Sequence, residues 1–437
     1  MYSLQRICKI SLKILTINIV AFNANALEIF YDSQIDSYLK KTAAPFIKAS
    51  DMTGVKLYLV KSPEINAFAT NEKDIVFYSG LVNKTTNHNQ IEGVMAHELG
   101  HLIAQHHVKS RVKNSSSGIP AVAGTILGLG AVIAGAPQAG YAAIIGGSAA
   151  GASKQLAHSR EHENEADSIA VKLLNSTNKS TKGLADFFAI LEREERNFSR
   201  TNPEFLNTHP STDHRKSFIQ NNLVVENKQK PNGDYDLFKA KVFALTEKPE
   251  KTLNYYGIKD ETAAKYLALA IANNYKGDFD MAITMLDKSK SLGLPKQWYY
   301  DMYGQFEYEF AKFEKSIASY KKSQNFGNLS WIMDFQIAES YFALKDARAL
   351  NYYFKALTKF KQFNYTYKRI GDFYAQDEQM TMAHYYITQY YIKLDNKELA
   401  RKHLKLAQEF YKQEKLDNIQ LKDNLEEIGA SIKKEPK

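Results

Sequence analysis

The chain has 437 residues, 44% hydrophobic and 24% charged, with a formal net charge of +9. That length predicts two domains, and the balance of residue types excludes a disordered chain. The single cysteine, Cys8, excludes an internal disulfide framework, a cysteine-built zinc site and an iron–sulfur cluster, so any metal must rest on His, Asp and Glu.

Residues 1–26 read as a secretory signal peptide. Arg6, Lys9 and Lys13 open it, the apolar run Ile14 to Phe22 follows, and Ala24-Asn25-Ala26 fits a small-x-small cleavage pattern. The apolar run is well short of the roughly 20 residues that span a bilayer. Export predicts a mature chain from Leu27, without cysteine, in the periplasm of a bacterium.

Segment 32–50 has near-helical apolar spacing (Ile35, Leu39, Phe46, Ile47) and predicts an opening helix. Three short strands at 55–60, 65–69 and 75–78 predict a small antiparallel sheet. A helix is expected over 89–108. Residues 114–153 carry no charged side chain and read as two Gly/Ala-rich apolar pieces, 121–135 and 139–153, turning at Pro137. Three placements stay open for them: buried over the site, docked on a membrane surface or membrane protein, or spanning. Helices resume at 155–175 and 180–197, and Asn227 to Asp234 reads as a linker.

From about residue 259 the texture changes, and 20 of the 27 tyrosines lie in 251–437. Small residues recur at Ala270, Gly304, Ala338 and Gly371, in steps of 34, 34 and 33. A second series, Ala282, Ser316, Ala349 and Ala383, steps by 34, 33 and 34. Two coincident series near 34 residues are the signature of tetratricopeptide (TPR) helix pairs, whose small positions let paired helices approach closely. Pro295 alone stands near the expected closing position, and the period breaks between Ala383 and Ala400. Residues 396–412 and 417–433 predict capping helices.

The strongest chemical signal is His97-Glu98-Leu99-Gly100-His101. On a helix, positions i and i+4 lie about 40° apart, so both imidazoles point one way and can chelate one zinc ion. Glu98, turned about 100° from His97, lies where a carboxylate acts as general base. A catalytic zinc needs a third protein ligand. Glu163-Asn164-Glu165-Ala166-Asp167 offers Glu163, with Asp167 on the same helix face to accept the free N–H of a ligating His. The bland alternative for that stretch is a solvated helix face.

H-E-x-G-H, then Ser159-Arg160 with Glu163 to Asp167, then Thr208-His209-Pro210, resembles the gluzincin metallopeptidases of the HtpX-like and BepA-like kind. Ile65 to Ala69 with Gly80-Leu81 is similar to that family's active-site strand. The resemblance covers roughly 40–220, and the signal peptide and repeats extend it toward the BepA-like periplasmic branch. It implies zinc on His97, His101 and Glu163, with Glu98 as base. It also implies that His209 reaches the site from a loop, as an inhibitory cap on the metal or as an oxyanion stabiliser. From the residues alone, His209 also reads as a plain loop histidine. Arg215 would orient that loop or bind substrate, and Asn66, Ala67 and Phe68 would supply an edge strand that pairs with substrate backbone. His106 and His107 read as surface histidines; His158 and His162 are weaker candidate ligands.

The expected architecture is an α+β zincin-like metallopeptidase domain, mostly helical with a small antiparallel sheet, followed by an all-α TPR solenoid. Its divisions are 27–226 peptidase, 227–258 linker and connecting helix, 259–415 repeats, and 416–437 capping helix and tail. The expected function is a zinc endopeptidase in quality control of exported or outer-membrane proteins, with TPR contacts to protein substrates and partners. The other function class is a TPR chaperone or assembly scaffold with a largely silent peptidase site. The basic charge fits a membrane surface, outer-membrane assembly machinery or an acidic protein partner better than nucleic acid, for which no motif is present.

Overall fold

A computed structural model describes residues 28–70, 73–105, 160–197, 204–209, 213–224 and 233–433. The expected signal peptide, the uncharged segment 114–153, most of the expected linker at 227–234, and His106, His107, His158, Ser159 and Pro210 lie outside them. The chain divides into two compact units, one reaching Tyr299 and the other beginning at Tyr300.

The first unit is built on a four-stranded sheet: β1 (Glu28–Ile29), β2 (Lys56–Lys61), β3 (Ala67–Ala69) and β4 (Asp74–Tyr78), in the order β1-β2-β4-β3. The sheet is mixed rather than antiparallel. β1 pairs antiparallel with β2, β3 pairs antiparallel with β4, but β2 and β4 run parallel in the register Lys56↔Asp74 to Val60↔Tyr78. Two successive reversals, β2 to β3 and β3 to β4, make β2 and β4 point the same way, and β4 then lies between β2 and β3. All five β4 residues are buried. A strand apolar on both faces is most stable flanked on both sides, and β3 is left at the edge.

Helix α1 (Ser33–Ala49) starts at Asp32, whose carboxylate accepts from the Gln34 and Ile35 N–H groups at 3.0 Å. After α2 (Ser79–Lys84) comes α3 (His88–Ile103), then α4 (Arg160–Ser176), α5 (Lys182–Asn197), α6 (Glu204–Thr208) and α7 (Asp213–Asn221). The expected connecting helix is two helices, α8 (Gly233–Thr246) and α9 (Pro249–Gly257). α8 carries Lys241, buried and ion-paired with Asp32 at 2.6 Å, so it is fastened to the start of α1. The hairpin α10 (Ala263–Tyr275) and α11 (Phe279–Ser291) completes the unit, and α12 (Lys296–Glu309) runs across the division.

The second unit continues as α13 (Phe313–Asn325), α14 (Trp331–Ala343), α15 (Arg348–Lys359), α16 (Tyr365–Gln376), α17 (Met380–Lys393), α18 (Lys397–Gln413) and α19 (Ile419–Lys433). The small residues stand at the helix contacts. Ala338, Ala349 and Ala383 are fully buried, and the Ser316 hydroxyl donates to the Gly304 carbonyl at 2.7 Å. The period also appears in the backbone. Gly277, Ala311, Lys345 and Glu378 take φ of 82°, 56°, 55° and 58°, each in the turn inside a helix pair. Only the first of these positions is glycine. The other three adopt a left-handed conformation that normally costs a non-glycine residue about 1–2 kcal/mol, so packing of the paired helices imposes the turn.

Candidate metal centre

Helix α3 carries the H-E-x-G-H motif. The Asn87 side chain caps its start, accepting from Gln90 N–H at 3.2 Å. Gly100 sets what packs on its far end. A Cβ at that position would lie 2.6 Å from the Ala166 carbonyl oxygen, so α3 and α4 touch backbone to backbone there. Glu163, one turn before Ala166, is thereby brought opposite both histidines.

The donor atoms converge closely. His97 Nε2 lies 3.1 Å from His101 Nε2. Glu163 reaches His101 Nε2 at 3.4 Å through one oxygen and His97 Nε2 at 3.5 Å through the other. His209 Nδ1 lies 3.2 Å from Glu163 Oε1 and 3.4 Å from His97 Nε2. All four side chains are at most 1% exposed. A tetrahedral zinc with ligand distances of about 2.0–2.1 Å has edges of about 3.3–3.4 Å between its donors. The four residues therefore have the spacing and the donor types to hold one zinc ion, with His209 at the fourth corner.

A second layer orients these donors. Asp167 Oδ1 accepts from His97 Nδ1 at 2.9 Å, which leaves the His97 Nε2 lone pair for the cluster. Arg215 is buried and joins both carboxylates. Its Nη1 lies 2.7 Å from Glu163 Oε2, while Nε and Nη2 donate to Asp167 at 2.6 and 2.9 Å. The Arg215 guanidinium thus lies within the site, against Glu163 and Asp167.

Burial and neighbouring charge set the protonation states. For His97 without a metal, burial lowers the pKa, but hydrogen bonds to Asp167 and Glu163 outweigh it and raise the value to about 9, so that a metal ion would displace the Nε2 proton to use that lone pair. Burial works against the Glu163 charge, yet His209, Arg215 and His101 hold its pKa well below the usual range. Asp167 is likewise lowered, by Arg215 and His97 against burial. Glu98 differs: burial raises its pKa, and His209 and His97 only partly offset that. A raised carboxylate beside a metal-ligand cluster is suited to accepting a proton. Glu98 Oε1 lies 3.5 Å from His209 Nε2.

Ala67 and Phe68 lie in the edge strand β3, and Asn66 immediately precedes it. His162 is on α4 but stands outside the donor cluster. Phe205 was not anticipated. Its ring stacks on His209 at 4.4 Å between centroids and 25° between planes. The His209 N–H donates to the Phe205 carbonyl at 2.7 Å, so the two residues sit on consecutive turns of one helical segment. The i, i+4 spacing of Phe205 and His209 was the available signal.

Residues 32–223 match Peptidase family M48. The beta-barrel assembly-enhancing protease of Yersinia pestis is 24% identical over 328 residues, covering 72% of this chain and 66% of its own length. The protein of the same name from Escherichia coli (strain K12) is 29% identical over 199 residues, 44% of this chain and 40% of its own. Metalloprotease YcaL of Escherichia coli is 31% identical over 172 residues, 39% of this chain and 63% of its own. The chain thus spans less than two thirds of the length of these relatives. No helix among the described residues is long and apolar enough to cross a membrane. All four donors, their carboxylate and guanidinium supports, and Glu98 fall inside the span, residues 32–223, that is similar to Peptidase family M48.

Proposed function

We propose that this chain is a zinc-dependent endopeptidase with a TPR module, hydrolysing peptide bonds in misfolded or stalled exported and outer-membrane proteins. The observation that carries the reading is a buried donor set with zinc-like spacing, with the Glu98 carboxylate beside it, 3.5 Å from His209. His97, His101 and Glu163 would hold the metal, and Asp167 and Arg215 would orient them. A bound zinc ion would supply Lewis-acid polarisation of the scissile carbonyl and promote ionisation of the attacking water. Glu98 takes the proton from the nucleophile and returns it to the leaving amine. Residues 66–68 bind substrate backbone at the sheet edge.

The substrate class rests on relatives named beta-barrel assembly-enhancing proteases. With the signal-peptide pattern, it supports a periplasmic location. We assign 27–226 to the peptidase, 227–258 to the connection, 259–415 to repeats that bind protein partners, and 416–437 to the cap. Contact with outer-membrane assembly machinery or a membrane surface belongs to the same proposal.

A second reading, a TPR chaperone or scaffold with a silent peptidase, draws on His209. Its Nδ1 lies 3.4 Å from His97 Nε2 and 3.2 Å from Glu163 Oε1, and it would take the ligand position that a catalytic zinc keeps open for water or substrate. Zinc content and β-casein cleavage separate the two. Glu98→Gln is expected to retain zinc and lose about 10²–10⁴-fold in cleavage. Undiminished cleavage by the purified variant sinks the peptidase reading. His209→Ala is expected to raise basal cleavage, and equal or lower activity counts against a cap.

A further inference from the structure

Two further histidines meet in the second unit. His384 on α17 and His403 on α18 face each other, with their Nδ1 atoms 3.0 Å apart and their ring centres 5.1 Å apart. A crossed pair of aromatic rings holds them there. His384 stacks on Phe410 of the facing helix (5.5 Å between centres, 27° between planes), and His403 stacks on Tyr391 (5.3 Å, 27°). Each helix therefore carries a histidine and, seven residues on, the ring that clamps the other helix's histidine. Seven residues are two turns less about 20°, so both members of each set share one helix face. Ala383, Ala400 and Ala407 of the same two helices are fully buried, which lets the helices approach closely enough for the imidazoles to meet.

When both rings are neutral, one Nδ1 carries a proton and donates it to the other. Which ring donates is not fixed: neither Nε2 has a partner among the described residues, whereas the His97 tautomer is set by Asp167. Burial lowers the pKa of both histidines, and His384 and Lys402 lower that of His403 further. Each ring is therefore neutral at neutral pH and has one nitrogen lone pair to give. Two imidazoles on one metal ion, at about 2.0–2.1 Å and angles of about 90–110°, have donors about 2.9–3.4 Å apart and ring centres about 4.5–5.2 Å apart. Both observed separations fall inside those ranges. With an ion bound, each ring keeps its one proton on Nε2 and both Nδ1 lone pairs turn on the metal. The proton that bridged the rings moves to the other nitrogen of its own ring, so none is released.

We propose that His384 and His403 form a second metal site, for a divalent transition-metal ion of the copper(II), nickel(II) or zinc(II) class, which staples α18 to α17. Imidazole suits this class, and two nitrogens from the protein leave the remaining coordination positions to water or to a donor from outside the chain. The staple lies where the repeat period breaks, between Ala383 and Ala400, so it fastens the capping helix to the last periodic helix. Both rings are half-buried, so an ion from solution can reach them, unlike the buried donors around Glu163. No residue of the first centre takes part, so the staple stands or falls apart from the peptidase reading.

The test uses the full chain with one equivalent of zinc, and copper(II) as the probe, in a buffer that does not coordinate it. The wild type is expected to bind one copper ion without losing zinc, with an electron paramagnetic resonance spectrum showing two imidazole nitrogens. His384→Gln and His403→Gln are each expected to weaken that copper by at least about tenfold and to leave one nitrogen in the spectrum. The double variant is expected to remove it. Amide exchange over 380–413 then separates a staple from a surface ligand pair with no structural effect. At free copper about ten times its Kd, exchange through opening of the α17–α18 pair should slow by about tenfold, and the double variant should show no slowing. A wild type that binds no copper beyond its zinc, or only trades zinc for copper, overturns the site whatever the stability of the variants. Copper that the double variant still binds with the same spectrum overturns it too. Copper held by the two histidines that leaves exchange over 380–413 unchanged overturns the staple.

Discussion

The metal centre and the helix pairs of the second unit solve opposite packing problems. Around α3, the core is polar: three histidines, three carboxylates and one guanidinium are buried at or below 1% exposure, each answered by a partner of opposite or complementary character. In the second unit the contacts are small residues against aromatic rings, as at Gly304, where a Cβ would lie 2.7 Å from the Tyr320 ring. Polar groups buried together raise the cost of losing any one of them, because the remaining charges stay unsatisfied. Apolar contacts fail more gradually, with lost area or added strain. The centre should therefore be brittle, and the helix pairs forgiving.

The largest structural effect should come from Arg215. Arg215→Met leaves Glu163 and Asp167 buried without their shared cation, which is expected to cost about 3–5 kcal/mol of stability in the metal-free protein. Chemical denaturation checks this, and a loss below about 1 kcal/mol would mean that the centre behaves like a surface ion pair. One substitution made in both regions sharpens the contrast. At Gly100 the added methyl meets the backbone of Ala166, which cannot swing aside without moving Glu163. Gly100→Ala should weaken zinc binding by about 10–100-fold, read by competition with a chromophoric chelator. At Gly304 the obstacle is the ring of Tyr320, and Gly304→Ala should cost about 1 kcal/mol by thermal melting. Equal tolerance at the two positions would remove the distinction.

The smallest effect belongs to an exposed pair. The Asp346 carboxylate is lowered from 3.8 to about 2 by hydrogen bonds from the Arg348 side chain and backbone. A lowered carboxylate contributes stability above its ordinary pKa and loses it as pH falls through the folded value. For this pair the window runs from about pH 4 down to about pH 2. Arg348→Ala should raise the Asp346 pKa in an NMR titration and lower the melting temperature at neutral pH only slightly, because solvent screening shrinks the shift and its stability effect together. A clear loss of stability at neutral pH would show that the exposed pair matters more than its setting allows.

Short-range periodicities were readable because each depends on one helix or one repeat. The two series of small residues define helix pairs before any coordinates, since a 33–34-residue step repeats the same contact. His97 and His101 share a helix face by the same local arithmetic. The mixed sheet was not readable in this way. Strands 56–61 and 74–78 look alike as apolar runs, and their parallel pairing depends on where β3 is placed after the chain reverses. The left-handed turns at Ala311, Lys345 and Glu378 carry no sequence mark, because the packed helices on either side enforce them.

The sequence by itself determined the chemistry on offer: no cysteine site, two histidines and a glutamate on one helix, carboxylates on another, and a repeat array beyond them. The tertiary structure decided how those groups are used. It brought Glu163 and His209 to His97 from 66 and 112 residues away, turned Arg215 inward onto two carboxylates, and tied the His209 segment to the sheet edge. Residue type sets what a group can bind, and spacing within a helix sets which side chains share a face. Which helices meet depends on close approaches such as Gly100 against Ala166, where the absent side chain lets two backbones touch.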